Sequence, residues 1–298
     1  MHFVNAKSIL TTRPCGMNIY RGCSHGCVYC DSRSKCYHFT HDFEDIEVKQ
    51  NAPELLEEAL RKKRKRCVIG TGSMCDPYIP IEKELCLTRR CLEIIDRYSF
   101  GAAVLTKSDL VLRDLDLLSS INKKAKAVVQ ITITTADDEL CKILEPGVCP
   151  TSRRVQVLRE CRERGIPTVV WLSPLLPFIN DTEENIDAIF ESCAEAGVKA
   201  ILCFGIGLTL REGNREYFYA ALERSALRDF RFAGMKERYQ KTFGYSYMAT
   251  SPRDKELMAR LARLCKESGI MLGTDSVFKW MEEFPAAAQG DPMQPELF

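Results

Sequence analysis

The chain has 298 residues, 42 Lys and Arg against 41 Asp and Glu, a formal net charge of +1, and 45% hydrophobic residues. That composition belongs to a folded globular protein and excludes a disordered chain, and the near-zero balance argues against attachment to nucleic acid by bulk charge alone. The longest apolar stretch, Ile166 to Ile179, is interrupted by Pro167, Ser173, Pro174 and Pro177 and is too short to span a bilayer. The opening MHFVNAKSIL lacks the apolar core of a signal peptide, so the expectation is a cytoplasmic protein without a membrane segment.

In chain order, Gly16–Arg21 reads as a first strand and Pro53–Lys65 as a helix, with Leu55, Leu56, Ala59 and Leu60 on one face. Cys67–Thr71 is a buried strand run, Glu84–Arg97 a helix, Ala102–Thr106 a strand and Asp109–Ile121 a helix. The β-branched run Ala127–Thr134 is a strand, Thr151–Arg164 a helix closed by Gly165, and Pro167–Leu172 the next strand. Thr182–Ala196 is a helix ending at Gly197, and Lys199–Phe204 the sixth strand. Six strand–helix repeats imply parallel strands with right-handed crossovers: an α/β fold, a partial (β/α)6 TIM-like barrel. In such barrels the functional loops follow the C-terminal ends of the strands.

Past residue 228 the pattern becomes helical, with helices at 229–243 and 253–268, a short apolar piece at Ile270–Leu272 and a last helix near Val277–Phe284. The expected organisation is a core barrel over 1–228, a helical C-terminal segment over 229–285 packed on it, and a disordered tail over 286–298.

Fifteen cysteines are too few for a disulfide scaffold, which needs roughly 8–10%. Most sit singly in apolar segments and read as small buried hydrophobes. Cys23, Cys27 and Cys30 do not. They form a CxxxCxxC after the first strand, with Gly22 and Gly26 letting the backbone fold tightly enough for three thiolates to converge. An all-sulfur donor set selects an iron–sulfur cluster or zinc, and three ligands leave a position open. A closed zinc site completed by His25, Cys36 or His38 is the alternative.

This motif, with Tyr29 before the last cysteine and a βα pattern following, resembles the radical S-adenosylmethionine (SAM) superfamily. The resemblance implies a [4Fe–4S] cluster on Cys23, Cys27 and Cys30 and SAM chelated to its fourth iron. One electron would then cleave SAM to a 5′-deoxyadenosyl radical that abstracts hydrogen from substrate. Further segments narrow the likeness: Gly70 through Glu82, Leu105-Thr106-Lys107-Ser108, Thr132-Ile133-Thr134-Thr135, Leu144-Glu145-Pro146, Arg153-Arg154 and Pro174 through Pro177. Together they are similar to the spore photoproduct lyase-like group, also called DNA repair photolyases, over about residues 10 to 270.

From that resemblance, Gly70, Thr71 and Gly72 stand where a glycine-rich segment receives the SAM amino group, although the glutamate common there is missing. Lys107 matches a lysine that contacts the SAM carboxylate, and Thr132 a residue that reaches the ribose. Cys75 lies on the loop where the lyases keep a hydrogen-donating cysteine, with a register that counts closer to Ser73. Tyr78, Glu82, Glu145 and Arg154 read as site-shaping residues rather than acid–base catalysts.

The expected partners are DNA carrying a damaged or modified base and an electron donor such as flavodoxin or ferredoxin. Radical SAM enzymes acting on RNA, a peptide or a metabolite are the alternative, and a non-enzymatic zinc or iron module is the reading of another class. The cations Arg61 through Arg66 read as a solvated helix end, Phe243 through Tyr247 as stacking surface or core, and Gln294 through Phe298 as a weak match to sliding-clamp peptides.

Overall fold

The computed structural model describes residues 1–11 and 15–285, so the predicted tail and the clamp-like peptide Gln294–Phe298 lie outside the described residues. Seven parallel strands form one sheet: β1 (Gly16–Met17), β2 (Val68–Thr71), β3 (Gly101–Thr106), β4 (Ala127–Thr132), β5 (Thr168–Trp171), β6 (Ala200–Leu202) and β7 (Met271–Leu272). They are ordered by sequence from β1 to β7, and every pairing is parallel. The expected barrel is therefore present, with the apolar piece at Ile270–Leu272 contributing a seventh strand.

Alternation along the strands assigns each side chain to a face. Ile69, Val104, Val129, Ile131, Val170 and Ile201 pack outward under the helices Ala52–Lys62, Leu87–Arg97, Leu115–Lys124, Thr151–Glu163 and Glu183–Glu195. Val68, Ala103, Val128, Val169, Ala200 and Leu202 point to the concave side and meet Val277 and Met281 of the last helix, Thr274–Glu282. That helix fills part of the barrel interior, where Lys126 at the foot of β4 donates to the carbonyls of Trp280 and Glu283.

Several boundaries move for local reasons. The first predicted strand splits: Met17 pairs with Thr71 in the barrel, whereas Tyr20–Arg21 pairs antiparallel with Glu47–Lys49 in a separate small sheet completed by His2–Val4. Helix Glu84–Arg97 is interrupted at Cys86, whose φ of 51° is left-handed. Asp109–Asp114 is a 3-10 turn before the true helix, capped by the Ser108 hydroxyl, which accepts from Leu110 N–H. The first helix ends at Lys62, so only Arg61 and Lys62 of the basic run are helical, and they pair with Glu57 and Glu58.

Unpredicted elements include the short helix Asp138–Leu144, the helix Asn214–Ala226, and an antiparallel two-stranded sheet pairing Gly207–Thr209 with Met248–Thr250. That pairing spans position 228, and a second core joins Leu208, Phe218, Leu222, Met235, Tyr239 and Ala249 to Cys27, Val28 and Tyr29 of the cysteine loop. The C-terminal third thus packs directly on that loop. Among the described residues no helix is long and apolar enough to cross a membrane.

Candidate functional site

The cysteine loop bends where its glycines require it. Gly22 has φ +85°, and a Cβ there would lie 2.4 Å from the Phe43 carbonyl oxygen. The neighbouring Cys23 N–H donates to that same carbonyl at 3.1 Å. The loop is then tied to the segment after β4: Val28 N–H donates to Leu144 O at 2.9 Å, and Gly147 N–H donates to His25 O at 2.8 Å. These bonds lay the loop across the C-terminal ends of the strands, the functional end of a barrel.

Cys23, Cys27 and Cys30 stand close enough to perturb one another's ionisation. Burial pushes the Cys27 thiol well above its ordinary value and raises Cys30, with the Lys107 ammonium opposing both. Cys23 is held well below it, chiefly by a contact from the Cys75 thiol and then by His25. Three soft thiolate donors on one loop are the set that an iron–sulfur cluster takes.

Asp76 is the hub that joins the strand ends, a role that no local pattern around it announces. Its carboxylate accepts from Thr106 Oγ1 at 2.7 Å, from Lys107 N–H at 2.7 Å and from Tyr78 N–H at 2.9 Å, and it stands 3.4 Å from His25 Nδ1. One carboxylate therefore locks the loop after β2 to the end of β3 and to the cysteine loop. Burial alone would lower the His25 pKa, but the Asp76 carboxylate and Cys23 outweigh it and raise it.

Glu145 and Arg154, both fully buried, make an ion pair at 2.5 Å. The Tyr29 hydroxyl donates to the other Glu145 oxygen, and Arg154 also donates to Thr132 O and Cys149 O, each at 3.0 Å. Burial would raise the Glu145 carboxyl, but Arg154 and Lys107 lower it, so it stays ionised. Glu82 is also buried and accepts from Tyr20 and from Arg113 at 2.7 Å, while Tyr78 donates to Asp114 at 3.0 Å. Tyr78, Glu82, Glu145 and Arg154 are thus all buried in hydrogen-bonded or ion-paired contacts.

The residues expected around SAM do not all face one way. Gly70 and Thr132 fall on the concave side, whereas Thr71 shares the helix-facing side with Ile69 and is 6% exposed. Gly72 has φ +99°, and a Cβ would meet Leu105 O at 2.0 Å, so this turn admits only glycine. Gly72→Ala is expected to cost at least about 1–3 kcal/mol in denaturant unfolding, since the β2 and β3 ends must separate. An unchanged midpoint would show that the turn tolerates a side chain.

The Lys107 ammonium lies 6.0 Å from the Tyr29 ring centre. Burial would lower its pKa, but Cys27, Glu145 and Asp76 outweigh that and keep it charged. A buried cation beside the cysteines suits an anionic carboxylate. Thr134 Oγ1, just past β4, is buried without a hydrogen-bond partner. Cys75 is 4% exposed, and its S–H donates to Gly22 O at 2.7 Å, so its thiol points under the cysteine loop.

The profile described as the radical SAM superfamily matches residues 17–187, more than half of the chain. An uncharacterised protein of Methanocaldococcus jannaschii is 36% identical over 169 residues, 56% of this chain and 62% of that protein. An uncharacterised Mycobacterium tuberculosis protein is 29% identical over 220 residues, covering 70% of this chain and 63% of the relative. The chain thus spans under two thirds of the length of these relatives. A Pseudomonas phage M6 protein named radical SAM Nalpha-GlyT isomerase is 26% identical over 177 residues, 59% of this chain and 35% of the phage protein. In fold, the chain is similar to a spore photoproduct lyase variant with bound AdoMet and dinucleoside spore photoproduct: TM-score 0.63, 16% identity, covering 91% of this chain and 79% of that one.

Proposed function

The chain belongs to the radical SAM superfamily, whose members use a [4Fe–4S] cluster and SAM, and from that premise we propose that it is a radical SAM enzyme acting on a damaged or modified nucleobase. The observation that carries the radical SAM part is the placement of Cys23, Cys27 and Cys30 over the strand ends beside the buried Lys107 ammonium. The donor set fits the cluster: three soft sulfurs on one glycine-bent loop. When bound, the cluster and SAM supply reductive cleavage of SAM and hydrogen-atom abstraction from the substrate.

The chain's own residues do the rest. Cys23, Cys27 and Cys30 would hold the cluster, Lys107 would neutralise the SAM carboxylate, and Thr132 would stand toward the ribose. Asp76 fixes the Lys107 backbone by accepting its N–H, and Glu145 with Arg154 and Tyr29 holds the cysteine loop against β4. The apolar cover Cys27-Val28-Tyr29 with Leu144, Leu176 and Phe218 keeps water from that side.

The nucleobase part rests on the solved neighbour's dinucleoside and on one surface. Tyr245 and Tyr247 are 88% and 54% exposed, with Arg215 and Arg211 over their rings at 5.3 and 5.0 Å. Arg211 also bonds the Tyr37 hydroxyl at 3.1 Å, which brings this surface to the segment following Cys30. Exposed rings interleaved with cations suit stacking of unpaired bases. Phe243, by contrast, stacks on Phe178 at 5.9 Å and is core.

The test is 5′-deoxyadenosine formation by anaerobically reconstituted, reduced protein given SAM with irradiated or undamaged DNA. Turnover is expected to rise with irradiated DNA, and Tyr247→Ala to weaken single-stranded DNA binding by about 1–3 kcal/mol. Turnover indifferent to every DNA, with binding unchanged in the Tyr247 variant, would overturn the nucleobase reading and leave the radical SAM assignment standing.

A further inference from the structure

The small N-terminal sheet gathers ligand-type side chains that the cysteine site does not use. His2 and Glu47 are direct cross-strand partners, so their side chains leave the sheet together. His41 returns from the following loop with its ring edge-on to His2, centroids 4.8 Å apart. One ligand atom from each of His2, His41 and Glu47 lies within 4.8 Å of the other two.

The hydrogen bonds settle which ring nitrogens are free. His41 Nδ1 is 2.9 Å from the Asp42 carbonyl oxygen, which can only accept, so Nδ1 carries the proton and Nε2 presents a lone pair. His2 Nδ1 is bound in the same way to Asp45 Oδ2 at 3.0 Å, leaving its Nε2 free. Anchoring the far nitrogen of a histidine to a carboxylate or carbonyl is the arrangement that metal-ligating histidines adopt. His41 Nε2 is buried with no hydrogen-bond partner and stands 3.8 Å from Glu47 Oε2, both side chains being under a fifth exposed. An orphaned imidazole nitrogen near a carboxylate, with a second, more exposed imidazole beside it, has a reason to exist if a cation sits between them.

We propose that His2, His41 and Glu47 bind a divalent first-row transition metal ion, with water completing the shell. Two imidazole nitrogens and a carboxylate oxygen form an N/O set suited to zinc or a similar borderline ion. The competitor is Arg21, whose Nη1 stands 3.8 Å from the same Glu47 oxygen. Its Nη2 is held by the carbonyls of Tyr37 at 2.8 Å and His38 at 3.0 Å, so the guanidinium stays anchored when Glu47 turns to the ion. Such an ion would tie the first strand to the loop ending at Phe43, whose carbonyl receives the Cys23 N–H, and would brace the cysteine loop from behind.

Cluster-loaded protein without a polyhistidine tag is titrated with Zn²⁺ by calorimetry, and bound metal is counted after desalting. The expected result is one Zn²⁺ per chain, with Kd raised at least about tenfold in His41→Gln and in Glu47→Gln. Arg21→Gln is expected to lower Kd severalfold by removing the competing cation, an effect that mere damage to the sheet would not give. A chain with Cys23, Cys27 and Cys30 changed to Ala should still take up one Zn²⁺, which separates this site from the cysteines. Loss of all uptake in that cysteine variant, or an unchanged Kd in both His41→Gln and Glu47→Gln, overturns the proposal.

Discussion

Cys27→Ala is expected to leave the protein folded yet without its cluster, and 5′-deoxyadenosine formation should fall to background. Cys27 is 8% exposed and sits in the core that joins the loop to Leu144 and Phe218, so Ala at that position replaces one small buried side chain by another. The cluster would lose one of its three proposed protein ligands. The buried Cys75 thiol, which contacts Cys23, is already engaged by Gly22 O. Iron and sulfide content, visible absorption and SAM cleavage are measured together, with circular dichroism reporting the fold. A Cys27→Ala protein that kept full iron content and turnover would sink the three-cysteine assignment.

The second large effect is expected at Arg154. Removing one partner of a fully buried ion pair leaves a charge with too few neighbours, a loss of about 3–5 kcal/mol. Arg154→Met would leave the Glu145 carboxylate with the Tyr29 hydroxyl, the weak Cys141 thiol donor and the more distant Lys107. Denaturant unfolding measures the loss, with Arg159→Met as control, since its pair with Glu195 is exposed and worth well under about 1 kcal/mol. A loss under about 1 kcal/mol in Arg154→Met would mean that the pair is dispensable. The pH dependence follows from the sign of the Glu145 shift. Its folded pKa lies below the ordinary carboxyl value of 4.5, so its contribution is present above that value and lost as pH falls through the folded pKa. In the Arg154 variant that acid-side slope should shrink.

The hydrophobic periods foretold the barrel because each strand and helix buries its apolar side chains at its own repeat, and that repeat is written locally. The cysteine triplet was legible for the same reason: three candidate ligands within eight residues, spaced by glycines, need no distant partner to be recognised. Helix Asn214–Ala226 carried a readable stripe at Phe218, Ala221, Leu222 and Ser225 with Glu216 closing its start, and that signal was there to be found. Helix Asp138–Leu144 was too short to show a period.

By itself, then, the sequence determined the family, the strand–helix alternation and the cysteines proposed to hold the cluster. Tertiary structure alone decided what surrounds them. Asp76 became the hub of the site through contacts 30 and 31 residues away, and Tyr29 met Glu145 across 116 residues. Thr71 turned to the helix side because strand alternation placed Gly70 inward. The meeting of His2, His41 and Glu47 depended on Tyr20–Arg21 leaving the barrel to pair with Glu47–Lys49. Each of these contacts is fixed by which strands lie side by side, and that follows from burying a common core rather than from any local pattern.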